Sequence, residues 1–158
     1  MPVSREFGQN IDTVFELLTD PQFLVDRCLA LGELSAECEI FEDGDHILVE
    51  LTREVTRDLP SFLARIFDPV QTMSMKETWS PDGDGWSGHW TVIIEGQPVS
   101  INADFSLKPA ANGCIYTVSH KAKAKIPLIG GKLEKFIQGQ SIEGAEAELS
   151  YLKEHLDQ

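Results

Sequence analysis

Lys125-Ile126-Pro127-Leu128-Ile129-Gly130-Gly131-Lys132-Leu133-Glu134 decides the fold, because it hands an alternating strand over to the one long helical pattern in the chain. Upstream of it, Tyr116, Val118, His120, Ala122 and Ala124 alternate with Thr117, Ser119, Lys121 and Lys123, the period of a strand with one face buried. Downstream, apolar residues recur at helical spacing from about Leu128 to Leu156. A helix of that length reaches ~43 Å at ~1.5 Å per residue, enough to cross a whole sheet. It carries two apolar stripes on nearly opposite sides. One holds Ile129, Leu133, Phe136, Gln140, Gly144, Ala147 and Tyr151, and the other holds Ile142, Ala145, Leu149, Leu152 and Leu156. A helix apolar on two sides has two things to cover: the sheet, and a neighbouring element or second subunit.

Working back toward the N-terminus, strand patterns follow one another. Val99 to Leu107, Trp86 to Ile94 and a strand bearing Met73, Met75, Glu77 and Trp79 alternate in the same way. They are separated by Gly- and Pro-bearing turns at Pro81–Gly85, Glu95–Pro98 and Pro109–Gly113. Leu59-Pro60 breaks the series, and Ser61 to Phe67 reads as a short apolar helical turn. Before it, Ile47 to Val55 and Leu34 to Ile40 form a hairpin about the Asp-Gly turn at Asp43-Gly44. Two short helices precede the hairpin, one capped by Asn10 and one opened by Asp20-Pro21 and closed by Gly32, and a strand at about Val3–Phe7 starts the series. The order is strand, two short helices, six-stranded meander, long helix, in a single domain over residues 1–158.

Composition narrows the function. The chain has 158 residues, with 13 Lys+Arg against 26 Asp+Glu and a formal net charge of −13. That excess of acid argues against a nucleic-acid backbone or an anionic membrane as partner, since both need a basic face. No apolar run reaches the ~20 residues of a bilayer span, and the N-terminus lacks a secretory pattern, so a cytoplasmic protein is expected. Cys28, Cys38 and Cys114 lack CxxC spacing and read as reduced, buried thiols. His46, His89, His120 and His155 sit on different elements without ligand spacing, so neither metal nor cofactor is expected.

The element order over the entire chain resembles the helix-grip fold of the START-like (SRPBCC, polyketide cyclase) superfamily. Leu51-Thr52-Arg53-Glu54-Val55 with Leu59-Pro60-Ser61-Phe62-Leu63, Glu77-Thr78-Trp79 and the Ile-Pro-Leu-Ile-Gly-Gly-Lys segment resemble one uncharacterised bacterial family within it. The resemblance implies an α+β fold, a curved antiparallel sheet wrapped around the C-terminal helix, with an apolar cavity between them and no named reaction.

Geometry alone makes the cavity reasonable. A curved sheet and a rod touch along a line, and side chains must fill the wedges on either side or leave a space. Gly139, Gly144, Ala145 and Ala147 keep the helix slim, and the segment Pro60–Phe67 is placed to cover one opening. The expected lining is Phe62, Phe67, Trp90, Ile101, Phe105, Tyr116, Leu133, Phe136 and Gln140. Strand parity sends Arg53, Glu77 and His120 inward as well, and the cost of burying lone charges requires Arg53 and Glu77 to pair or to reach a rim. The expected function is binding of an apolar or amphipathic small molecule, lipid-like or polycyclic, by a monomer or weak homodimer. A cyclase- or hydrolase-like enzyme using His120 with Glu77 is one alternative. An interaction module working through Ile142, Leu149, Leu152 and Leu156 is another. The lysines at 121, 123, 125 and 132 read as a solvated, edge-protecting ridge.

Overall fold

The computed structural model describes residues 2–158. Strand β1 (Val3–Phe7) leads to α1 (Ile11–Leu18) and α2 (Pro21–Ala30). The meander follows as β2 (Ser35–Asp43), β3 (His46–Thr56), the single turn α3 (Ser61–Ala64), β4 (Val70–Asp82), β5 (Gly85–Ile94), β6 (Val99–Ala110) and β7 (Gly113–Ala124). Helix α4 (Gly130–Leu156) ends the chain. The local chemistry that set these boundaries is visible. The Asn10 carboxamide accepts from the Asp12 amide at 2.7 Å, the Asp20 carboxylate accepts from Gln22 at 2.9 Å, and Pro21 opens α2 where no amide is needed. Helix α4 starts at Gly130 rather than Leu128, because Leu128 adopts a left-handed backbone with φ 71°, which a right-handed helix cannot include.

All strand pairs are antiparallel, in the order β1-β7-β6-β5-β4-β3-β2, so the first strand returns to lie beside the last. Every strand of the meander turns the expected parity inward. Val49, Leu51 and Val55 of β3, Met73 and Trp79 of β4, Ile101, Ala103, Phe105 and Leu107 of β6, and Val118, Ala122 and Ala124 of β7 are buried. The concave face divides into two apolar clusters. One, beneath α1 and α2, is aromatic: Phe15 stacks on Trp86 at 4.1 Å, and Phe105 meets Trp79 edge-on at 4.7 Å and Tyr116 at 5.9 Å. The other gathers Val55, Met73, Ile94, Val99 and Ile101 around Leu63, Phe67, Leu133 and Ile137.

The two apolar stripes of α4 turn out to be parts of one contact. Its buried residues are Leu133, Ile137, Ala145, Leu149 and Leu152. At ~100° per residue these directions fan over about 160° around the axis, so the line of contact winds about the helix as the sheet curls along it. Gly144 and Ala147 of the first stripe face solvent instead. Leu149 and Leu152, 4% and 0% exposed, are fixed in the aromatic cluster, which removes the proposed interaction stripe: those side chains are already spent on the protein's own sheet.

What pins α4 is the edge of β7. Strand β1 pairs only with residues 114–118, which leaves the edge beyond them open. Side chains of α4 complete it: Gln138 accepts from the Ala122 amide at 3.1 Å and donates to the His120 carbonyl at 2.8 Å, and Glu134 accepts from the Ala124 amide at 3.0 Å. Arg5 of β1 adds an ion pair to Glu146 at 3.1 Å. The helix therefore leans on β7 and β1, and a gap opens on its β3 side.

Candidate functional site

That gap is a groove of about 430 Å³. Its floor is apolar, made by Val55, Met73, Val92 and Ile101 of the sheet, with Trp90 and His120 at its deep side. Its walls are the α2–β2 turn (Leu31, Gly32, Glu33) and the outer face of α4 from Gln140 to Glu148. Gly144 contributes no side chain, and a Cβ placed there would meet open space.

Two polar rungs cross the gap from β3 to α4. Arg53 donates to Glu148 at 3.2 Å, and Arg57, which directly follows β3, donates through Nη1 to Gln140 at 3.1 Å. The spacing is self-consistent. Four strand residues cover ~13 Å and eight helical residues cover ~12 Å, so the two elements run past each other with matched rungs.

The Arg53 rung belongs to a charge network, in which Arg27 Nε and Glu33 Oε1 are buried without a hydrogen-bond partner. Arg53 also meets Glu33 at 3.5 Å and approaches the Cys28 thiol at 3.9 Å, while Arg27 reaches Glu148 at 3.6 Å. Burial works against the Arg53 cation, but Glu148 and Glu33 outweigh it and its pKa is raised. Glu148 shows the converse: burial opposes its charge, yet Arg27 and Arg53 hold its carboxyl below the usual range. The expected Arg53–Glu77 pair is absent. Glu77 lies two strand rows away along the same face and accepts instead from the Trp79 indole of its own strand at 2.6 Å. With no cation in contact, burial pushes its pKa up to about 7. Desolvation likewise raises the Cys28 and Cys38 thiols to about 11. Cys28 and Cys114 are buried as expected, whereas Cys38, on the edge strand β2, is only half-buried.

His120 is 8% exposed, and its Nδ1 has no partner, while the ring packs edge-on against Trp90 at 5.4 Å. Burial lowers its pKa against the pull of Glu148. The register sets Glu77 opposite Trp90, Trp90 opposite Ala103 and Ala103 opposite His120, so three strand steps separate the proposed acid and base, and no hydrogen bond joins them. Shared parity puts two side chains on one face without making them neighbours.

The interior behind the groove is divided rather than hollow. Trp90 and Glu148 stand between it and two small voids of about 50 and 70 Å³, which Tyr116 and Arg27 also line. A further void of about 20 Å³ lies between Phe67, Leu133, Phe136 and Gln140. Two expected lining residues are placed elsewhere. Phe105 is consumed by the aromatic cluster, its ring lying so close over Gly88 that a Cβ there would clash with it. Phe62 points outward, 40% exposed, with the Lys132 ammonium 5.8 Å from its ring centre, while its neighbour Leu63 turns into the core. The opening is beside Leu31–Glu33, not beside Phe62. Sequence reasoning missed Arg57, Glu148 and Glu33. The parity of 53, 55 and 57 was the available signal for Arg57, whereas no local pattern links Glu148 to β3.

Among the described residues, no group of three or more His, Cys, Asp or Glu is placed to hold a metal ion, and no helix is long and apolar enough to cross a membrane.

Residues 2–156 match the family described as "Protein of unknown function (DUF2505)". No curated protein matches the chain. Solved structures share its fold. An uncharacterised protein of Rhizobium leguminosarum superposes with a TM-score of 0.60 at 12% identity, over 99% of this chain and 93% of that one. A protein of Chromobacterium violaceum gives 0.55 at 14%, over 100% and 96%. Ara h 8.0201 gives 0.53 at 14%, over 96% and 95%. These identities speak for the architecture, a helix-grip fold.

Proposed function

The chain belongs to the DUF2505 family, and we propose that it holds an apolar or amphipathic small molecule in the groove between β3 and α4. The observation that carries this reading is the groove itself: an apolar floor crossed by two polar rungs, in a volume of about 430 Å³. Ligand sites commonly occupy ~300–1,000 Å³ and combine apolar walls with a few fixed polar groups. Arg53, Trp90, Ile101, His120 and Gln140 are the ligand-facing residues in this reading, joined by Arg57 and Glu148. The wider assignment is to a START-like binding domain, acting as one cytoplasmic unit, monomeric or weakly dimeric and free of cofactor.

Thermal shift against a panel of lipids and aromatic metabolites tests it. Ligand at ~100 times its Kd contributes about 2.7 kcal/mol, worth a Tm rise of about 5–10 °C at this chain length. Gly144→Trp fills the groove from a position with open space around it, so it should abolish the shift without lowering the basal Tm. No response from any compound, or an undiminished response in Gly144→Trp, would remove the groove from consideration.

A further inference from the structure

The groove contains one cation that the protein leaves without an anion. Arg57 donates through Nε to the Gln71 amide oxygen at 3.1 Å, through Nη1 to the Gln140 amide oxygen at 3.1 Å, and through Nη2 to the Met73 sulfur at 3.2 Å. All three acceptors are neutral, and sulfur is a weak one. No carboxylate is in ion-pair contact with Arg57 among the described residues, although the chain holds twice as many acids as bases. Its nearest influential acid, Glu33, is already engaged by Arg53. Arginines 5, 27 and 53 each have a glutamate partner, and Arg65, which has none, is exposed to solvent. A half-buried guanidinium without one bears a desolvation cost that an anion would relieve.

The geometry of its free hydrogens narrows the anion. A guanidinium carries five N–H donors, and the three contacts leave one on each terminal nitrogen, matching in number the two oxygens of a carboxylate. Arg57 lines both the groove and the small apolar void beside Phe67 and Leu133. We propose that Arg57 is the head-group site of the groove and that its ligand is a carboxylate-headed amphiphile, with the apolar body laid over Val55, Met73, Val92 and Ile101. The inference rests on the groove being a ligand site and adds the sign and shape of the ligand's polar end.

Isothermal titration with decanoate and decanol, matched in chain and differing in head, separates the two claims. The native protein should bind decanoate at least about tenfold more tightly than decanol. Arg57→Gln should bring the two within about threefold of each other, with decanol affinity little changed. Gln140→Glu supplies Arg57 with an internal carboxylate, so it should erase the same preference while raising Tm, and it guards against a folding defect in the first variant. Equal affinities in the native protein, or a preference that survives both substitutions, would overturn the role of Arg57 and leave the groove as a site of different head-group chemistry. Binding of neither compound, together with a silent panel, would overturn the groove reading and this inference with it.

Discussion

Arg53 and Arg57 project from the same face of one extended segment, four residues apart, toward the same helix, and their surroundings are opposite in kind. Arg53 meets two glutamates, and its guanidinium charge is compensated within a network under α2. Arg57 meets two amides and a thioether at the open end of the groove. The first arrangement is what a stable interior needs. The second leaves electrostatic energy unclaimed, which is the condition for recognising something from outside. Glu77 is the acidic member of the same contrast: half-buried, bonded only to an indole N–H, and pushed toward neutrality at ordinary pH.

The contrast breaks most visibly at Glu148. Glu148→Gln would leave Arg27 without an anion and Arg53 with Glu33 alone, and a loss of about 2–4 kcal/mol in urea-unfolding stability is expected. A loss below about 1 kcal/mol would mean the network is solvated and no different from the Arg57 end.

Glu77 tests the acid side through pH. Its folded pKa of about 7 lies above the ordinary 4.5, so the native state holds the proton more tightly than the unfolded chain. The stability it contributes is present below about pH 4.5 and is lost as pH rises through about 7. Glu77→Gln mimics the protonated acid and still accepts from Trp79. It should be more stable than the native protein by about 1–3 kcal/mol at pH 8, with the difference vanishing near pH 4.5. A pH-independent difference would contradict the desolvated, unpaired acid.

Arg57→Met removes the uncompensated cation and keeps the length of its stem. Stability is expected to be unchanged or raised by up to about 1 kcal/mol, where the same substitution at Arg53 should destabilise. A marked loss at Arg57 would place it in the structural class with Arg53. The smallest effect belongs to Phe62→Ala, within about 0.5 kcal/mol, against about 2–5 kcal/mol for the adjacent, fully buried Leu63 truncated to Ala. Thermal denaturation of both variants checks that α3 presents one side to the core and the other to solvent.

Much of this architecture was legible from the chain. The alternation on each strand, the Asp-Gly hairpin, the Asn10 and Asp20-Pro21 helix starts and the long terminal helix all depend on contacts within a few residues, and each is found where expected. The site was less legible. Arg53, Trp90, Ile101, His120 and Gln140 do line one groove, yet Arg53 found Glu148 rather than Glu77. Phe62 points outward, Phe105 is packed in the aromatic cluster, and Glu77, Phe67, Tyr116, Leu133 and Phe136 line smaller voids instead. Parity names the face a side chain leaves from, not which neighbour across a curved surface it reaches.

By itself, then, the sequence determined the elements, their order and which face of each strand is apolar, because period, capping and turn chemistry act over short range. Only the tertiary structure decided that α4 leans on the unfinished edge of β7, that its two stripes merge into one winding contact, and that the gap therefore opens on the β3 side with Arg57 unpaired. Those outcomes follow from where distant segments come to rest against one another, and no local pattern records the distance between Glu148 and Arg53 or the lack of any acid beside Arg57.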